Sequence, residues 1–180
     1  MIASYAEPDS DTTTDLQILL RHPQSTDGYA VNGLIDRCKP LDTNSTYCNL
    51  LQCLHFADTC LLAERQEDGA LLGFISAYRK PAEPNTLFVW QVAIDKRARG
   101  EGLARTLLTN LLASEACAGV SHLETTITAD NAASWALFES LARRQGTDSG
   151  VRHQLFDQQR HFNGDSPSEI LFRIPLGARR

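Results

Sequence analysis

The sequence has little of what several protein classes require. Its five cysteines form an odd set with neither a CxxC pair nor Cys and His at zinc-ligand spacing, so neither a disulfide framework nor a metal site is indicated. No apolar run approaches the ~18 residues of a membrane span, and residues 1–15 lack the basic and apolar regions of a signal peptide. We therefore expect a cytoplasmic protein with reduced thiols, without a metal and without membrane contact.

Neither sign of charge dominates the chain. It carries 17 Lys and Arg against 22 Asp and Glu, a formal net charge of −5. Because proteins that bind a phosphate backbone are typically basic, we expect no nucleic-acid partner. The 180 residues, 42% of them hydrophobic, are enough to bury roughly 70% of the surface that the unfolded chain exposes. These values predict one globular domain.

We place that domain at residues 15–176. Residues 1–14 are rich in Ser, Thr and Asp and carry few large apolar side chains, so they are expected to form a flexible N-terminal tail. Residues 177–180 are expected to form a short C-terminal tail.

Within the domain, the spacing of apolar residues predicts the alternating strands and helices of an α/β fold. Strands are expected at 16–20, 59–65, 71–78, 87–94, 122–128, 151–156 and 170–176, and helices at 27–39, 45–54, 103–112 and from 131 onward. The fourth strand, LFVWQVAI, is expected to be central and buried on both faces, and the two prolines of RKPAEPNT set it apart from the third. On the second helix we expect Tyr47, Leu50, Leu51 and Leu54 to share one apolar face.

The turn between the fourth strand and the next helix is the most informative stretch. It reads RARGEGLA from Arg97 to Ala104. Gly100 and Gly102 allow a tight turn that brings several N–H groups together at a helix N-terminus, where the dipole favours an anion such as a pyrophosphate. Arg97 and Arg99 add positive charge. A Walker A loop needs a different spacing and a dinucleotide fingerprint a third glycine, so the alternative is a plain glycine turn with solvated arginines.

The order of elements around this turn resembles the GNAT superfamily of acetyl-CoA-dependent N-acetyltransferases, over roughly residues 16–176. The resemblance implies the GNAT acyltransferase fold, a mixed central β-sheet flanked by helices in a single domain, with acetyl-CoA as co-substrate. It assigns the coenzyme A pyrophosphate to Arg97, Arg99, Gly100, Gly102, Leu103 and Ala104. It also implies that the backbone of Val92 and Ile94 pairs with the pantetheine, and that Asn131, at the start of the later helix, contacts the cofactor.

Four blocks of sequence are similar to one family within this superfamily, the diaminobutyrate acetyltransferases of ectoine biosynthesis. The blocks are LDTNSTYCNLLQCLHFADTC from Leu41, GFISAYRKP from Gly73, LFVWQVAID from Leu87, and the late HF followed by Glu169. The resemblance implies that the chain acetylates the γ-amine of L-2,4-diaminobutyrate and forms a homodimer. One departure is Ser166, near which the family pattern has a histidine.

A substrate with two ammonium groups and one carboxylate needs acidic side chains in its site. We expect Asp42 and Glu169, each in a block that resembles the family, to bind it, with Asn44, Tyr47 and Trp90 beside them. A carboxylate, alone or through water, would also remove the proton that an amine must lose before it attacks the thioester. The structural alternatives are a turn and helix cap for Asp42 and Asn44, and core packing for Tyr47 and Trp90.

Attack on the thioester creates an oxyanion, for which we expect the Val92 N–H to be the donor. Many GNAT enzymes use a Tyr on the later helix to protonate the departing thiolate, but this chain has Phe138 there. The acid is then Tyr47, a bound water or the substrate ammonium. An acetyl-enzyme on Cys53 or Cys117 is disfavoured, because neither lies in a Cys-His arrangement.

Two other functions compete with this one. The first is a GNAT acetyltransferase for another amine, such as a polyamine, an aminoglycoside or a protein amine. The second is a module that binds acetyl-CoA without chemistry, for which Phe138 in place of the usual Tyr is the favourable feature.

Overall fold

The structure is a computed structural model that describes residues 17–39, 41–146 and 150–177. Its strands are β1 (Ile18–Arg21), β2 (Cys60–Arg65), β3 (Leu71–Lys80), β4 (Glu83–Ile94), β5 (His122–Thr128), β6 (Val151–Phe156) and β7 (Glu169–Pro175). Its α-helices are α1 (Gly28–Arg37), α2 (Thr46–His55), α3 (Leu103–Ala113), α4 (Ala132–Arg144) and α5 (Gln158–Phe162). The expected N-terminal tail, and residues 178–180 of the expected C-terminal tail, lie outside the described residues. None of the described helices is both long and apolar enough to cross a membrane.

All seven strands form one sheet, in the order β1-β2-β3-β4-β5-β7-β6. Neighbouring strands are antiparallel except β4 and β5, which are parallel. The parallel pairing joins residues 86–88 to residues 122–124 and extends no further along the two strands. The C-terminal halves of β4 and β5 therefore diverge and leave a gap. The α/β class, the mixed sheet and the central position of β4 are confirmed.

Helices pack on both faces of this sheet. On one face, α3 and α4 bury a large apolar core that includes Leu107, Leu111 and Leu123. On the other face, α1 and α2 bury a smaller core around Phe74 and Ala93. Wholly burying one Leu or Phe side chain stabilises a fold by about 1.5–3 kcal/mol, so these two cores hold the helices against the sheet.

The hairpin of β3 and β4 differs from its prediction in two ways. The prolines of RKPAEPNT do not separate the strands, because a tight turn beginning at Pro81 lets Lys80 pair with Glu83. Pro84 falls at an irregularity of the ladder, where a missing N–H is tolerated. The expectation that β4 is buried on both faces is also wrong, since Trp90 is 44% exposed where the sheet face next to the smaller core is open.

The apolar face expected on α2 is not the face that packs. Tyr47 and Leu54 are 69% and 57% exposed, whereas Asn49 and Gln52 are buried. The amide of Asn49 donates to Gln52 and accepts a hydrogen bond from Asn32 on α1. Because these amides pair with one another, α2 buries polar side chains and leaves apolar ones at the surface.

Candidate active site

The gap between β4 and β5 opens into a cleft of about 490 Å³. Its walls come from four parts of the chain that are distant in sequence. They are the loop before α2, the second half of β4, β5 with the first turns of α4, and the segment from α5 to the start of β7. The end of the parallel pairing thus creates the cleft, and the loops at the ends of the neighbouring elements enclose it.

Backbone N–H groups of β4 face this gap. The N–H of Asp95 donates to the Leu72 carbonyl on β3 at 2.9 Å, and the register runs without a break to Val92, which lies opposite Ile75. Because N–H groups alternate sides along a strand, those of Val92 and Ile94 point away from β3. They are directed toward the side where β5 has diverged, which suits pairing with an extended ligand.

A β-bulge directs two successive side chains of β4 into the cleft. Gln91 pairs with Ser76 and Val89 pairs with Ala77, so Trp90 is the additional residue between them. Both Trp90 and Gln91 line the cleft. In a regular strand their side chains would point to opposite faces, and the bulge removes that alternation.

The glycine turn leads from the end of β4 into α3. Gly100 and Gly102 have φ values of +88° and +74°, which glycine adopts without steric cost. Gly102 is the residue immediately before Leu103, the first residue of α3. A Cβ added to Gly100 would meet no atom within 4 Å. The N-terminus of α3 therefore lies behind an open turn, a favourable place for an anion.

Protein groups hold the two arginines beside this turn. Arg97 donates from Nε and Nη2 to the two carboxylate oxygens of Asp95, each at 2.9 Å, and its backbone N–H donates to the same carboxylate at 3.0 Å. The Nε of Arg99 donates to the Ile94 carbonyl at 3.0 Å. Asp95 is buried, and the hydrogen bonds from Arg97 lower the pKa of its carboxyl far below the usual range. Both guanidinium groups are therefore fixed close to the turn.

Two acidic side chains that are far apart in the sequence line the same cleft. Asp42 lies in the loop before α2, and Glu169 is the first residue of β7. Burial raises the pKa of Glu169, a hydrogen bond from Thr126 lowers it, and the negative charge of Asp42 raises it. The two carboxylates are therefore close enough to interact, and together they favour a cation between them.

The other residues expected at the site divide into two groups. Asn44, Trp90, Val92 and Asn131 line the cleft, and the Asn131 side chain also caps α4 by accepting from the Ser134 N–H at 3.1 Å. Tyr47 does not line the cleft. The turn residues Ile94, Arg97, Arg99, Gly100, Gly102, Leu103 and Ala104 are not part of its lining either, but they follow directly from the β4 residues that are.

Sequence reasoning missed several residues of the cleft. Gln91, Thr126 and Phe162 line it without having been singled out. Phe162 belongs to α5, whose start was readable in the sequence, since Asp157 caps it by accepting from the N–H groups of the next turn. Gln91 and Thr126 gave no signal, because a polar residue in a strand is ordinarily a surface residue. Phe138, the departure noted on α4, also lines the cleft.

Within the described ranges, no group of three or more His, Cys, Asp and Glu side chains could hold a metal ion. The polar groups of the cleft are amides, hydroxyls and three carboxylates, those of Asp42, Glu169 and Asp130, the last of which accepts a hydrogen bond from the Thr128 hydroxyl. They are suited to binding a charged organic substrate and to moving a proton.

Comparison with known proteins agrees with this geometry. Residues 30–142 match the acetyltransferase (GNAT) family. The L-2,4-diaminobutyric acid acetyltransferase of Vibrio cholerae is 52% identical over 158 residues, which are 88% of this chain and 90% of the relative. Its counterpart in Halomonas elongata is 42% identical over 87% of this chain and 80% of that protein.

A solved structure is similar over nearly the whole chain. It is the diaminobutyrate acetyltransferase EctA from Paenibacillus lautus, in complex with its substrate L-2,4-diaminobutyric acid and coenzyme A. The TM-score is 0.85 and the identity 37%, over 92% of this chain and 98% of the other.

Proposed function

Because the chain belongs to the acetyltransferase (GNAT) family, and within it to the L-2,4-diaminobutyric acid acetyltransferases, we propose that acetyl passes directly from acetyl-CoA to the γ-amine of L-2,4-diaminobutyrate, with both bound together in the cleft. The chain is an acetyltransferase of diaminobutyrate with acetyl-CoA as co-substrate, and it has the single-domain GNAT fold that the sequence predicts. The observation that carries the direct route is the shape of the cleft, which is lined both by Val92, whose backbone N–H points away from β3, and by the carboxylates of Asp42 and Glu169.

The coenzyme occupies the β4 side of the cleft in this proposal. The N–H groups of Val92 and Ile94 pair with the pantetheine arm, and the pyrophosphate lies over the turn from Arg97 to Ala104. Asn131, which lines the cleft at the start of α4, contacts the arm from the other side. The open space above Gly100 supports this placement, since nothing within 4 Å would block an anion there.

The substrate occupies the opposite side, between Asp42 and Glu169. Diaminobutyrate has net charge +1 in solution, so two carboxylates compensate its ammonium groups. Trp90 and Asn44 lie beside them and shape the pocket. Of the two acids, Glu169 is the better proton acceptor, because its raised pKa brings its basicity closer to neutral pH.

The reaction then needs two proton transfers and one displacement. The γ-ammonium, with an ordinary pKa of about 10, gives a proton to Glu169, and the free amine attacks the thioester carbonyl. The Val92 N–H stabilises the oxyanion, whose collapse forms the amide and expels the coenzyme thiolate. The attacking nitrogen carries a second proton, which it must lose as the amide forms. A thiol has a pKa of only about 8.5, so the thiolate can leave and take this second proton through water. Phe138 cannot donate one, and Tyr47 is exposed outside the lining.

The test is release of free thiol when the pure protein is mixed with acetyl-CoA and L-2,4-diaminobutyrate, with NMR of the product to locate the acetyl group. We expect acetyl on the γ-nitrogen. Initial rates at varied concentrations of both substrates separate the routes: intersecting lines in the double-reciprocal plot support direct transfer, and parallel lines would show an acetyl-enzyme instead. Two matched amines measure the selectivity of the pocket through their kcat/KM values relative to diaminobutyrate. One is the analogue one methylene longer, and the other is the diamine without a carboxylate.

We also propose a homodimer. Four apolar side chains are exposed on and near α2 and β4, namely Tyr47, Leu54, Phe56 and Trp90. The ring centroids of Phe56 and Trp90 lie 6.0 and 6.2 Å from that of Tyr78, so these two side chains belong to one aromatic cluster. Contiguous exposed apolar surface is typical of an interface between subunits.

Sedimentation of the wild type and two variants tests this interface. Leu54→Glu introduces a charge into the apolar surface and is expected to give monomers. Val151→Glu introduces the same charge at an exposed apolar residue on β6, at the far edge of the sheet, and is expected to leave a dimer. If Val151→Glu dissociated the dimer and Leu54→Glu did not, the interface would lie on β6 instead.

A cytoplasmic location is proposed on the state of the cysteines. Cys38, Cys48, Cys53 and Cys60 are free thiols, and all but Cys48 are buried. Unpaired, buried thiols are typical of proteins in a reducing compartment. The protein is isolated from cells and alkylated before and after unfolding. We expect the buried cysteines to be labelled only after unfolding exposes them.

A further inference from the structure

One amide side chain ties the loop before α2 to the central strand. The Oε1 of Gln91 accepts a hydrogen bond from the Nδ2 of Asn44 at 3.1 Å, and its Nε2 donates to the backbone carbonyl of Asp42 at 3.1 Å. Both partners belong to the loop that carries the Asp42 carboxylate into the cleft. Gln91 therefore contacts this loop at two points, on either side of Thr43.

The bulge on β4 explains how Gln91 reaches the loop. Val89 and Val92, on either side of the bulge, pack in the core under α3 and α4. The two residues between them, Trp90 and Gln91, therefore both face the other side of the sheet, where the loop lies. Without the additional residue, only one of the two would face that way.

A second amide holds the same loop from the helical side. The Nδ2 of Asn32, on α1, donates to the Asn44 carbonyl at 2.7 Å and to the Asn49 side chain at 2.9 Å. Asn49 is fully buried, so this anchor is continuous with the packed interior. Buried amides that satisfy one another fix a single arrangement of the segments they join. The loop is thus held between β4 and α1.

We propose that Gln91 is a positioning residue for acetyl transfer: it holds the loop that carries Asp42 and thereby sets the spacing between the Asp42 and Glu169 carboxylates. This inference rests on the proposed function of these two carboxylates as the ligands of the diamine. A rigid spacing makes the enzyme selective for the distance between the charges of its substrate. A displacement of about 1 Å at a reacting centre can cost about 10²-fold in rate, so the loop must be held closely.

Both contacts use the terminal amide of Gln91. The side chain has one acceptor and one donor group, and it uses the acceptor for Asn44 and the donor for Asp42. In Gln91→Glu the acceptor remains but the donor becomes a second acceptor, which repels the Asp42 carbonyl. In Gln91→Leu both contacts are lost while the volume of the side chain is nearly kept.

Steady-state kinetics of these two variants test the proposal. We expect Gln91→Leu to raise KM for diaminobutyrate about tenfold and to reduce discrimination against the analogue one methylene longer, with KM for acetyl-CoA unchanged. Gln91→Glu should act in the same direction. The control, Gln66→Leu, changes an exposed glutamine in the turn between β2 and β3 and should leave both KM values unchanged. A general loss of packing would instead raise both KM values together.

A double-mutant cycle shows whether Gln91 acts through Asp42. In the Asp42→Asn background we expect Gln91→Leu to change KM for diaminobutyrate by less than about twofold, because the group it positions is already gone. An undiminished tenfold effect in that background, or no effect in the wild type, would overturn the proposal.

A readout without turnover separates this proposal from the proposed function. Burial raises the pKa of Glu169 most, and the charge of Asp42 raises it further. Release of the loop in Gln91→Leu should therefore lower that pKa, as followed by NMR of the labelled carboxyl. An unchanged Glu169 pKa would overturn the role of Gln91 even if diaminobutyrate were not a substrate. Absence of thiol release by the wild type, with the pKa lowered in the variant, would overturn the proposed function alone.

Discussion

The carboxylate of Asp95 accepts two hydrogen bonds from the guanidinium group of Arg97, each 2.9 Å long, directly before the glycine turn. Asp95 also accepts from the Arg97 backbone N–H, and Arg37 approaches it at 3.6 Å. The charge of Arg97 is therefore already largely compensated by Asp95. In the proposed binding of the coenzyme pyrophosphate, the attraction therefore comes mainly from the N–H groups at the start of α3, and the ion pair holds the turn in shape.

Replacement of Asp95 is expected to lower stability in a pH-dependent way. Asp95→Asn removes a buried charge that three donor groups satisfy, which should cost about 1–3 kcal/mol of unfolding free energy at neutral pH. The folded-state pKa of Asp95 lies below its unfolded value. Its contribution is therefore present above the unfolded pKa and is lost as the pH falls through the folded one.

Urea unfolding of Asp95→Asn and the wild type, at neutral pH and at about pH 3, measures this contribution. The difference between the two proteins should narrow at the lower pH. The control is Asp68→Asn, which breaks the exposed pair of Asp68 with Arg65 and should change stability little. An equal loss at both pH values would show that the Asp95 charge does not stabilise the fold.

The sequence was sufficient to predict the seven strands and the first four helices, because their apolar spacing depends on local geometry, but it did not predict the short helix α5. The hairpin of β2 and β3, the central position of β4 and the helix after the glycine turn follow from such patterns. The face that α2 buries does not follow, because its burial depends on amide pairs between Asn32, Asn49 and Gln52. Asn32 is on α1 whereas Asn49 and Gln52 are on α2, and no spacing along the chain reveals that the two helices meet at these amides.

The glycine turn gives a second prediction. Gly100→Asp places a negative charge in open space above the N-terminus of α3 and forces a residue with a Cβ to a φ of +88°. The strain should cost about 1–2 kcal/mol, and the charge should weaken binding of coenzyme A by more than about tenfold.

Gly119→Asp separates these two effects. Gly119 also has a positive φ, +75°, and nothing within 4 Å of an added Cβ, but it lies beyond the other end of α3. We expect it to lower the melting temperature as Gly100→Asp does and to leave the Kd for coenzyme A unchanged by calorimetry. If both variants bind coenzyme A like the wild type, the turn is not the pyrophosphate site.

The composition of the candidate site was predictable only where a motif or a family block marks it. Asp42, Trp90 and Asn131 lie in such blocks, and the structure places all three at the cleft. Gln91 lies in the same block as Trp90, but the reason that it faces the loop is a bulge. A bulge depends on the pairing with β3, so the sequence of β4 alone does not reveal it.

The direct route predicts that two cysteines are dispensable. Cys53 and Cys117 are both buried, and burial raises the pKa of Cys53 to about 11, so its thiol is not ionised at neutral pH. The double variant Cys53→Ala, Cys117→Ala should lose some stability through the small cavities it creates but retain kcat within about threefold. Loss of turnover with an intact fold and intact binding of acetyl-CoA would contradict direct transfer.

Glu169 links the chemistry of the cleft to stability. Its folded-state pKa is raised, mainly by burial, so it favours folding at low pH, where it is protonated in both states. That contribution is lost as the pH rises through the folded pKa. Glu169→Gln keeps the shape of the side chain without its ionisation. The unfolding free energy that the variant gains over the wild type should therefore be larger at neutral pH than at about pH 4.

The same variant should fail as a catalyst, because an amide cannot accept the proton of the γ-ammonium. We expect kcat/KM for diaminobutyrate to fall by about 10²-fold or more, with the Kd for acetyl-CoA unchanged. The control is Glu67→Gln, an exposed carboxylate in the turn between β2 and β3, which should change neither activity nor the pH dependence of stability. If Glu169→Gln kept full activity and showed the predicted gain in stability, burial would destabilise the Glu169 carboxylate without its serving the reaction. Asp42 would then be the proton acceptor to test.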